Sequence, residues 1–383
     1  MKGLVLHADW KPKDGYTLTE FEKETGKAIN GNSVWHNPRL SIEDLPEPSP
    51  QPGQVLLEIK ACGVCGSDMH FYETDSDGYI LYPGLTKFPC VLGHELSGRV
   101  VALGEGVKDL KIGDMVCAEE MIWCGDCTPC RNGFPNQCSN LEEIGFTIDG
   151  AFAKYMAIGA RYCWKIDSIA ERYGEDSAWE MGAMVEPSCV AYNAIFERGG
   201  GFRPGGYAVI FGAGPIGLAS IGLCKAAGAA KVLAFDISPT RRELASKMGA
   251  DSVHDPSKEN PVDVILGATG GEGADFMIES AGVPAITYPS MEKVLAVNAR
   301  IVQASRAAEK VPIYLENFQV RAAQIFGAQG HSGNGTFPNV IRLMAAGRLD
   351  MRQIVTSRYS LKNISQGIAK GGDRTDGKIM ARM

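Results

Sequence analysis

FGAGPIG, residues Phe211–Gly217, indicates the fold of the second half of the chain. Its glycines Gly212, Gly214 and Gly217 match the pattern G-x-G-x-x-G, which alone is a weak signal because glycine-rich turns are common. Here a predicted strand, 207–211, precedes the turn, and a predicted helix follows it. In that context the first glycine permits the tight turn, the second lets a pyrophosphate approach the backbone, and the third lets the helix pack on the strand. The stretch therefore predicts a dinucleotide-binding site.

An acid about 20 residues after the glycines completes this motif. Asp236 ends the next predicted strand, and we expect its carboxylate to bind the adenosine ribose hydroxyls and to repel a 2′-phosphate. That favours NAD over NADP, although Arg241 and Arg242 lie a few residues later and weaken the preference. Pro215 and Ile216 lie where the helix begins, so that its positive N-terminal end faces the phosphates.

After about residue 178 the chain alternates between short apolar strands and amphipathic helices. A β-α-β rhythm of this kind implies a Rossmann-type, doubly wound parallel sheet, and hence an α/β fold. A predicted helical connection, 179–195, leads into the alternation. The predicted strands are 207–211, 231–235, 275–279 and 299–303, and the predicted helices include 216–227 and 240–248.

The first part of the chain is rich in short strands with Gly/Pro turns, as in a barrel-like all-β domain. Predicted strands at 4–7 and 40–45 are separated by a polar stretch, 9–37, and a further strand is predicted at 55–59. The tail, 354–383, is expected to return to this first domain as a helix and strands.

The composition excludes several classes of protein. The chain has 383 residues, which is long for one core and favours two domains. A net charge of −7 without a basic run argues against a nucleic-acid partner. No apolar stretch approaches the ~20 residues of a membrane helix, and the N-terminal apolar core is too short for a signal peptide. We therefore expect a cytoplasmic protein with no membrane partner.

Eleven cysteines in such a chain argue against a disulfide framework. Cys124, Cys127, Cys130 and Cys138 crowd into WCGDCTPCRNGFPNQC. Four thiolates at this spacing can close a tetrahedral shell around zinc with no open position, which predicts a structural zinc. An iron–sulfur cluster is the competing interpretation, because thiolate shells also hold those.

ACGVCGSDMH, residues 61–70, suggests a second metal site where a predicted strand turns into a loop. Cys65 offers a soft ligand, and Ser67 and His70 add a hydroxyl and an imidazole. A CxxC pair alone is as typical of a redox-active or merely buried pair as of a metal site.

Two later segments supply what this site lacks. His94 lies in GHE after an apolar strand, and Glu186 begins a predicted helix in VEPSCVAYNA. Together with Cys65 they provide a thiolate, an imidazole and a carboxylate, which with one open position make a catalytic zinc site. Each residue alone is compatible with a structural role.

These motifs together resemble the zinc-dependent medium-chain alcohol and polyol dehydrogenases over nearly the whole chain. The resemblance is carried by CGVCGSDMH, VLGHELSGRVVALGEGV, the four-cysteine segment, VEPSCVAYNA, and FGAGPIG with Asp236. It implies a GroES-like, β-rich catalytic domain, residues 1–190 and 331–383, interrupted by a Rossmann domain, residues 191–330. Glutamate at position 186 resembles the sorbitol and threonine types, whereas the alcohol dehydrogenase type has cysteine there. FYETDSDGYILYPGLTKFP, AEEMIWCGDC and AQGHSGNGTFPNV resemble a scyllo-inosose dehydrogenase-like branch.

The resemblance also implies roles for individual residues and two zinc ions in each chain. Glu95, beside the ligand His94, is implied to approach the metal and to help exchange its water. Ser67 is implied to take the proton of the substrate hydroxyl and to pass it, through the nicotinamide ribose, toward His70. A homodimer or homotetramer is implied as well.

We therefore predict reversible, NAD-dependent oxidation of a secondary alcohol by hydride transfer, with a polyol or cyclitol as the substrate class. Zinc would act as a Lewis acid on the substrate hydroxyl. Polar residues expected near it, including Ser67, Glu120 and His331, suit a substrate with several hydroxyls. A threonine, butanediol or simple-alcohol dehydrogenase of the same fold is one alternative. A non-catalytic protein that binds zinc and nucleotide is another.

Overall fold

The computed structural model describes residues 1–307, 310–331 and 333–383. They form two compact units. Unit 1 comprises Met1–Glu186, Ser357–Arg374 and Lys378–Met383, and unit 2 comprises Pro187–Thr356 and Thr375–Gly377. The domain boundaries expected after residues 190 and 330 stay a prediction. In the described part of the chain, no helix has both the length and the apolar character needed to cross a bilayer.

The first segment of unit 1 consists mainly of short strands, as the Gly/Pro turns indicated. In chain order its elements are β1 (Lys2–Trp10), α1 (Glu20–Thr25), α2 (Gly31–Val34), β2 (Trp35–Asp44), β3 (Gln54–Val64), α3 (Gly66–Tyr72), β4 (Cys90–Val91), β5 (Glu95–Leu103), β6 (Met115–Ala118), β7 (Met121–Ile122), α4 (Thr128–Arg131), β8 (Glu142–Glu143), β9 (Tyr155–Gly159), β10 (Cys163–Lys165), α5 (Asp167–Tyr173), α6 (Glu175–Ala183) and α7 (Val185–Tyr192).

Unit 2 contains the alternating strands and helices. After a π-helical turn at Asn193–Arg198, its elements are β11 (Tyr207–Phe211), α8 (Pro215–Ala226), β12 (Lys231–Phe235), α9 (Pro239–Lys247), β13 (Ser252–His254), α10 (Pro261–Ala268), β14 (Ala274–Glu279), α11 (Pro284–Met291), β15 (Leu295–Gln303), α12 (Leu315–Arg321), β16 (Gln324–Gly327) and α13 (Thr336–Ala345). Its six strands are all parallel and follow the order β13-β12-β11-β14-β15-β16. The order reverses between β11 and β14, and dinucleotides bind at such a switch point.

The tail returns to unit 1 as expected, with β17 (Val355–Ser360), α14 (Ile364–Gly371) and β18 (Lys378–Arg382). The main sheet of unit 1 has the order β10-β6-β5-β3-β18-β17, and β9 also pairs with β3. Its central strand β3 buries alternate residues up to Ile59 and then every residue from Ala61 to Val64. The strand thus becomes fully buried just before it delivers Cys65.

The predicted bounds of the strands and helices in unit 2 are accurate around the glycine motif. Strands β11 and β12 have the predicted bounds. Helices α8 and α9 each begin one residue earlier than predicted, at Pro215 and Pro239. Proline suits a first helical position because its missing N–H would have no partner there.

Two stretches of unit 1 contain helices that the sequence did not predict. The polar stretch 9–37, for which no element was predicted, contains α1 and α2. Helix α1 begins with a capping box in which Thr19 Oγ1 accepts from the N–H of Glu22 at 3.2 Å and Glu22 Oε2 accepts from the N–H of Thr19 at 2.8 Å. The residues after Cys65 also form a helix, α3, rather than a loop.

Candidate functional site

The four clustered cysteines converge in unit 1. One sulfur from each of Cys124, Cys127, Cys130 and Cys138 lies within 4.8 Å of the others, and all four are free thiols. Sγ of Cys138 is 3.6 Å from that of Cys124 and 3.8 Å from that of Cys127. A tetrahedron with zinc–sulfur bonds of about 2.3 Å has an edge of about 3.8 Å, so these thiols fit one zinc ion.

Backbone donors favour the thiolate form of Cys124 and Cys127, whereas burial raises the pKa of Cys138 and raises that of Cys130 to about 12. The N–H groups of Asp126 and Cys127 each lie 3.4 Å from Cys124 Sγ, and the N–H of Ser139 lies 3.4 Å from Cys127 Sγ. Two backbone hydrogen bonds lower the pKa of Cys127 to about 6. The one from Cys130 has the larger effect, and the other comes from Ser139. A thiolate is the form that binds a metal.

Cys65 joins a second group of possible ligands in unit 1. It caps α3, and its N–H donates to Asp68 Oδ2 at 2.9 Å. One ligand atom from each of Cys65, His94 and Glu95 lies within 4.8 Å of the others. The chain therefore brings a thiol and an imidazole from two distant segments together.

His94 is buried, and its Nδ1 lies 3.9 Å from Asp68 Oδ1. Burial lowers the pKa of His94. The carboxylate of Asp68, the hydrogen bond with Cys65 and the charge of Glu186 outweigh burial and raise the pKa well above its usual value. Asp68, which the sequence did not single out, thus lies behind the imidazole, where a carboxylate commonly orients a ligand histidine.

Glu95 is held by a lysine from the C-terminal strand. Nζ of Lys378 donates to both carboxylate oxygens of Glu95, and both side chains are buried. No motif or spacing pointed to Lys378. It becomes part of this site only because β18 pairs with β3.

Glu186 lies in the first turn of α7 and is buried. It lies close enough to His94 to raise the pKa of the imidazole. One of its oxygens is within 4.8 Å of an oxygen of Glu120. Burial raises the pKa of Glu120 to about 7, against the opposing effect of charge on His94. The predicted thiol, imidazole and carboxylate therefore lie in one neighbourhood, with a second acid beside them.

Ser67 and His70 lie three residues apart on α3. Ser67 Oγ is buried and has no hydrogen-bond partner among the residues that the structure describes. His70 is partly exposed, and its Nδ1 lies 3.1 Å from Glu73 Oε2. A buried hydroxyl without a partner is suited to a ligand, and a half-exposed imidazole is suited to exchanging protons with water.

The glycine turn of unit 2 has the geometry that a dinucleotide requires. Gly212 has φ of +93°, and a Cβ there would lie 2.6 Å from the backbone of Ala281. A Cβ on Gly217 would lie 1.8 Å from the carbonyl oxygen of Gly212. A Cβ on Gly214 would meet nothing closer than the Arg241 guanidinium, at 4.0 Å. The first and third glycines are therefore needed by the fold itself, whereas the second leaves space in front of the turn.

The acid and the arginines lie beside this turn. Asp236 Oδ2 accepts from the N–H of Ala213 at 2.8 Å, and Oδ1 accepts from the N–H of Ser238 at 2.8 Å. Arg242 pairs with Asp255 at 3.2 Å. Arg241 lies beside Gly214 and donates to the carbonyl oxygen of Asp376 at 3.2 Å. Of the two arginines, Arg241 is the one next to the turn.

Two known protein families match this chain, one in each unit. Residues 51–168 match the alcohol dehydrogenase GroES-like domain, and residues 215–346 match the zinc-binding dehydrogenase family. Scyllo-inosose 3-dehydrogenase of Thermotoga maritima is 47% identical over 381 residues, 97% of this chain and 96% of that protein. L-threonine 3-dehydrogenase of Pyrococcus horikoshii is 34% identical over 314 residues, 82% of this chain and 86% of that protein.

Solved structures agree with this assignment. The structure of a protein described as an alcohol dehydrogenase of Thermotoga maritima matches this chain with a TM-score of 0.97 and 45% identity. The match covers 100% of both chains. One assigned to a zinc-binding dehydrogenase of Sinorhizobium meliloti, bound to NADP, has a TM-score of 0.80 and 27% identity over 93% of this chain and 99% of that chain. An Escherichia coli alcohol dehydrogenase with NADH has a TM-score of 0.78 and 25% identity, covering 100% of both chains.

These matches confirm the fold class and the family resemblance predicted from the motifs. They cover nearly the whole chain, and they include both the zinc-binding and the nucleotide-binding parts. The chain therefore belongs to the family of zinc-dependent medium-chain alcohol dehydrogenases and is an oxidoreductase that uses zinc and a nicotinamide dinucleotide.

Proposed function

We propose that this enzyme oxidises a secondary hydroxyl of a polyol of the cyclitol class and that NAD accepts the hydride. The observation that carries the proposal is the group of thiol, imidazole and carboxylates in unit 1, two residues from the buried hydroxyl of Ser67. The relative that is 47% identical is named for scyllo-inosose, the ketone of a cyclitol, which supports the substrate class.

Cys65, His94 and Glu186 are our proposed ligands of the catalytic zinc. Glu95 lies closer to the first two, but both of its oxygens are engaged by Lys378 at 2.6 Å. A carboxylate so paired is a poorer ligand than one whose charge is not already neutralised. We propose that Glu95 instead helps the metal to exchange water.

The four clustered cysteines are our proposed ligands of a second, structural zinc. Four thiols fill a tetrahedral shell and leave no position for substrate. We favour zinc over an iron–sulfur cluster because the matched family binds zinc.

When bound, zinc supplies a Lewis acid that lowers the pKa of a coordinated hydroxyl, and the nicotinamide supplies the hydride acceptor. We propose that Ser67 Oγ, which is buried two residues after Cys65, accepts the hydroxyl proton. The Asp68 carboxylate lies 3.9 Å from Nδ1 of His94, and its negative charge favours a proton on that nitrogen. His70, three residues after Ser67 and partly exposed, would exchange the released proton with water.

The glycine turn and Asp236 support the choice of NAD. Gly212, Gly214, Pro215, Ile216 and Gly217 form the turn and the helix start at the carboxyl end of β11. Asp236 adds negative charge that repels a 2′-phosphate. Arg241, which lies beside the turn, would instead favour NADP.

A substrate panel tests the proposal. Inositols, inososes, sorbitol, L-threonine and 2,3-butanediol are each incubated with NAD or NADP, and the absorbance of the reduced nicotinamide is followed. We expect the highest kcat/KM with a cyclitol and NAD. Highest activity with L-threonine would favour the function of the 34%-identical relative instead. No turnover with any alcohol would favour a non-catalytic protein.

We also propose a homo-oligomer, either a dimer or a tetramer. Strand β16 lies at one edge of the sheet of unit 2. Three apolar side chains of the neighbouring elements β15 and α12 are largely exposed. They are Val297 at 71%, Leu315 at 73% and Val320 at 69%. Light scattering after gel filtration tests the assembly, and a monomer at micromolar concentration would contradict it.

A cytoplasmic location is the last part of the proposal. All eleven cysteines are free thiols, and the four clustered ones need a reducing compartment to bind metal. Cell fractionation tests the location.

A further inference from the structure

His70 and Glu73 form a hydrogen-bonded pair at the C-terminal end of α3. Nδ1 of His70 donates to Glu73 Oε2 at 3.1 Å, and both side chains are partly exposed. Nε2 of His70 makes no hydrogen bond within the described ranges 1–307, 310–331 and 333–383. The imidazole therefore has one ring nitrogen on an acid and the other available to receive a proton.

The surrounding chain holds this pair in place. Phe71, which lies between the two residues, is fully buried and packs edge-on against Tyr82, with ring centroids 4.7 Å apart. The N–H of Leu81 donates to the carbonyl oxygens of both His70 and Glu73, at 3.0 Å each. One buried ring and one shared backbone donor thus fix the backbone that carries both side chains.

Glu73 differs from acids in neighbouring segments. Asp75 pairs with Lys13 at 2.7 Å, and Asp9 pairs with Arg39 at 2.9 Å. Among the residues that the structure places, no lysine or arginine pairs with Glu73. A cation close to a carboxylate favours its charged form. Glu73 lacks that constraint, so it is better suited than the paired acids to take up a proton from an imidazole.

Glu73 also lines a groove of about 700 Å³ on unit 1. Arg39 of β2, Tyr72 of α3 and Ile368 of α14 line the same groove. The side chains of Arg39 and Tyr72 are exposed. The groove is therefore open to solvent, and a proton on Glu73 can leave to water there.

We propose that Glu73 carries the proton of the reaction from His70 to solvent. This inference rests on the proposed function, in which oxidation of one hydroxyl yields one hydride and one proton. His70 takes the proton on Nε2, its Nδ1–H bond breaks, and an O–H bond forms on Glu73. Water in the groove then takes the proton from Glu73. The partly exposed imidazole regains its starting tautomer by exchange with water, so that no further oxidant or reductant is needed.

Kinetics of the zinc-loaded, full-length enzyme test this inference. The probe is scyllo-inosose, for which the 47%-identical relative is named, with NAD. Glu73→Gln keeps an acceptor for Nδ1–H but cannot take up the proton, Glu73→Ala removes both properties, and Glu73→Asp keeps the carboxylate. Glu43→Gln is the matched control, because Glu43 Oε1 lies 2.7 Å from Nε2 of His7 in a similarly exposed pair outside α3.

We expect Glu73→Gln and Glu73→Ala to lower kcat by about 10-fold, less than the roughly 100-fold contribution of a direct acid–base group. KM should change by less than about twofold, because Glu73 acts through His70. The solvent deuterium isotope effect on kcat should increase in both variants. Sodium acetate should restore part of the kcat of Glu73→Ala, and sodium chloride at equal ionic strength should not. Glu73→Asp should lose less activity, and Glu43→Gln none.

Histidine-selective ¹⁵N NMR tests the pair without any substrate. The neutral ring of His70 should carry its proton on Nδ1 in the wild type, and Glu73→Ala should lose that preference. His7 is an internal control, because its acid faces the other ring nitrogen. Neutral His7 should carry its proton on Nε2 and should change only in Glu43→Gln.

Three results would overturn the inference. The first is wild-type kcat in Glu73→Gln, which would leave Glu73 to orient the ring only. The second is a lower kcat with neither a larger isotope effect nor rescue by acetate, which would indicate a structural role. The third is a proton on Nε2 of neutral His70 in the wild type. If the wild-type enzyme oxidises no alcohol, the proposed function fails by itself, and the NMR comparison still decides whether Glu73 faces the proton on Nδ1.

Discussion

Lys378 donates hydrogen bonds from Nζ to both carboxylate oxygens of Glu95, each at 2.6 Å. Its third donor reaches the carbonyl oxygen of Val64 at 3.0 Å. Val64 is the residue before Cys65, so one lysine on the C-terminal strand fixes both the acid beside His94 and the backbone before the thiol. Burial lowers the pKa of Lys378, but the charge of Glu95 outweighs burial and raises it.

Replacing this lysine should therefore be costly. We expect Lys378→Met to lower the free energy of unfolding by about 3–5 kcal/mol, because it leaves the Glu95 carboxylate buried without a cation. Chemical denaturation measures the change. Lys23→Met, which removes an exposed pair with Glu20, should have little effect. The double variant Lys378→Met/Glu95→Gln should regain stability, and failure to do so would show that lost packing, not charge, is responsible.

The glycines of the nucleotide turn should separate folding from binding. Gly217→Ala should lower the free energy of unfolding by more than about 2 kcal/mol and abolish NAD binding, because its Cβ would overlap the carbonyl oxygen of Gly212. Gly214→Ala should change the free energy of unfolding by less than about 1 kcal/mol, since the nearest atom is 4.0 Å away.

The Gly214 variant should still bind NAD at least about 10-fold more weakly, because the pyrophosphate must approach the backbone there. Calorimetry with NAD tests this difference. Normal affinity in Gly214→Ala would show that the dinucleotide binds elsewhere.

Asp236 should set the choice of cofactor. We expect Asp236→Ala to lower the ratio of kcat/KM for NAD to that for NADP by about 30-fold, or ~2 kcal/mol, because the charge that repels a 2′-phosphate is lost. Asp263→Ala removes the same charge from an exposed position on α10 and should leave the ratio unchanged. An unaltered ratio in Asp236→Ala would mean that this acid does not meet the ribose.

Glu22 should make the stability of unit 1 depend on pH. Burial raises the pKa of Glu22, but hydrogen bonds from the N–H groups of Thr19 and Ile29 and from Tyr16 lower it below 4.5 overall. A carboxyl group whose pKa is lower in the folded state adds stability above its unfolded pKa, and that contribution is lost as the pH falls through the folded value.

Wild-type protein should therefore be more stable than Glu22→Gln near neutral pH, and the gap should narrow below about pH 4.5. Urea titrations across this range measure the gap. Glu20→Gln, at an exposed position of the same helix, is the control. A gap that stays constant with pH would contradict the assignment.

Much of the fold follows from local signals. The glycine turn, its flanking apolar runs and Asp236 lie within 30 residues of sequence, so the pattern predicts β11, α8 and β12 almost to the residue. The four cysteines lie within one short segment, so their convergence needs little of the rest of the fold. Helix α3 was missed because Cys65 is an unusual N-cap residue, whereas Asp68 three residues later was the available signal.

The residues around the catalytic ligands were harder to predict, because distant strands bring them together. Lys378 is an isolated lysine in a short strand, and only the pairing of β18 with β3 brings it to Glu95. Glu119 and Glu120 are neighbours of identical chemistry, and only the positions of Trp123 and Trp164 show which one is structural. No periodicity or spacing encodes these contacts.

The zinc content and activity of Glu186→Ala, measured on the same preparation, test the central claim most directly. If Cys65, His94 and Glu186 hold the catalytic metal, the variant should keep the zinc of the four cysteines, contain one zinc ion per chain instead of two, and reduce no NAD with any cyclitol. Two zinc ions per chain together with wild-type turnover would contradict the account.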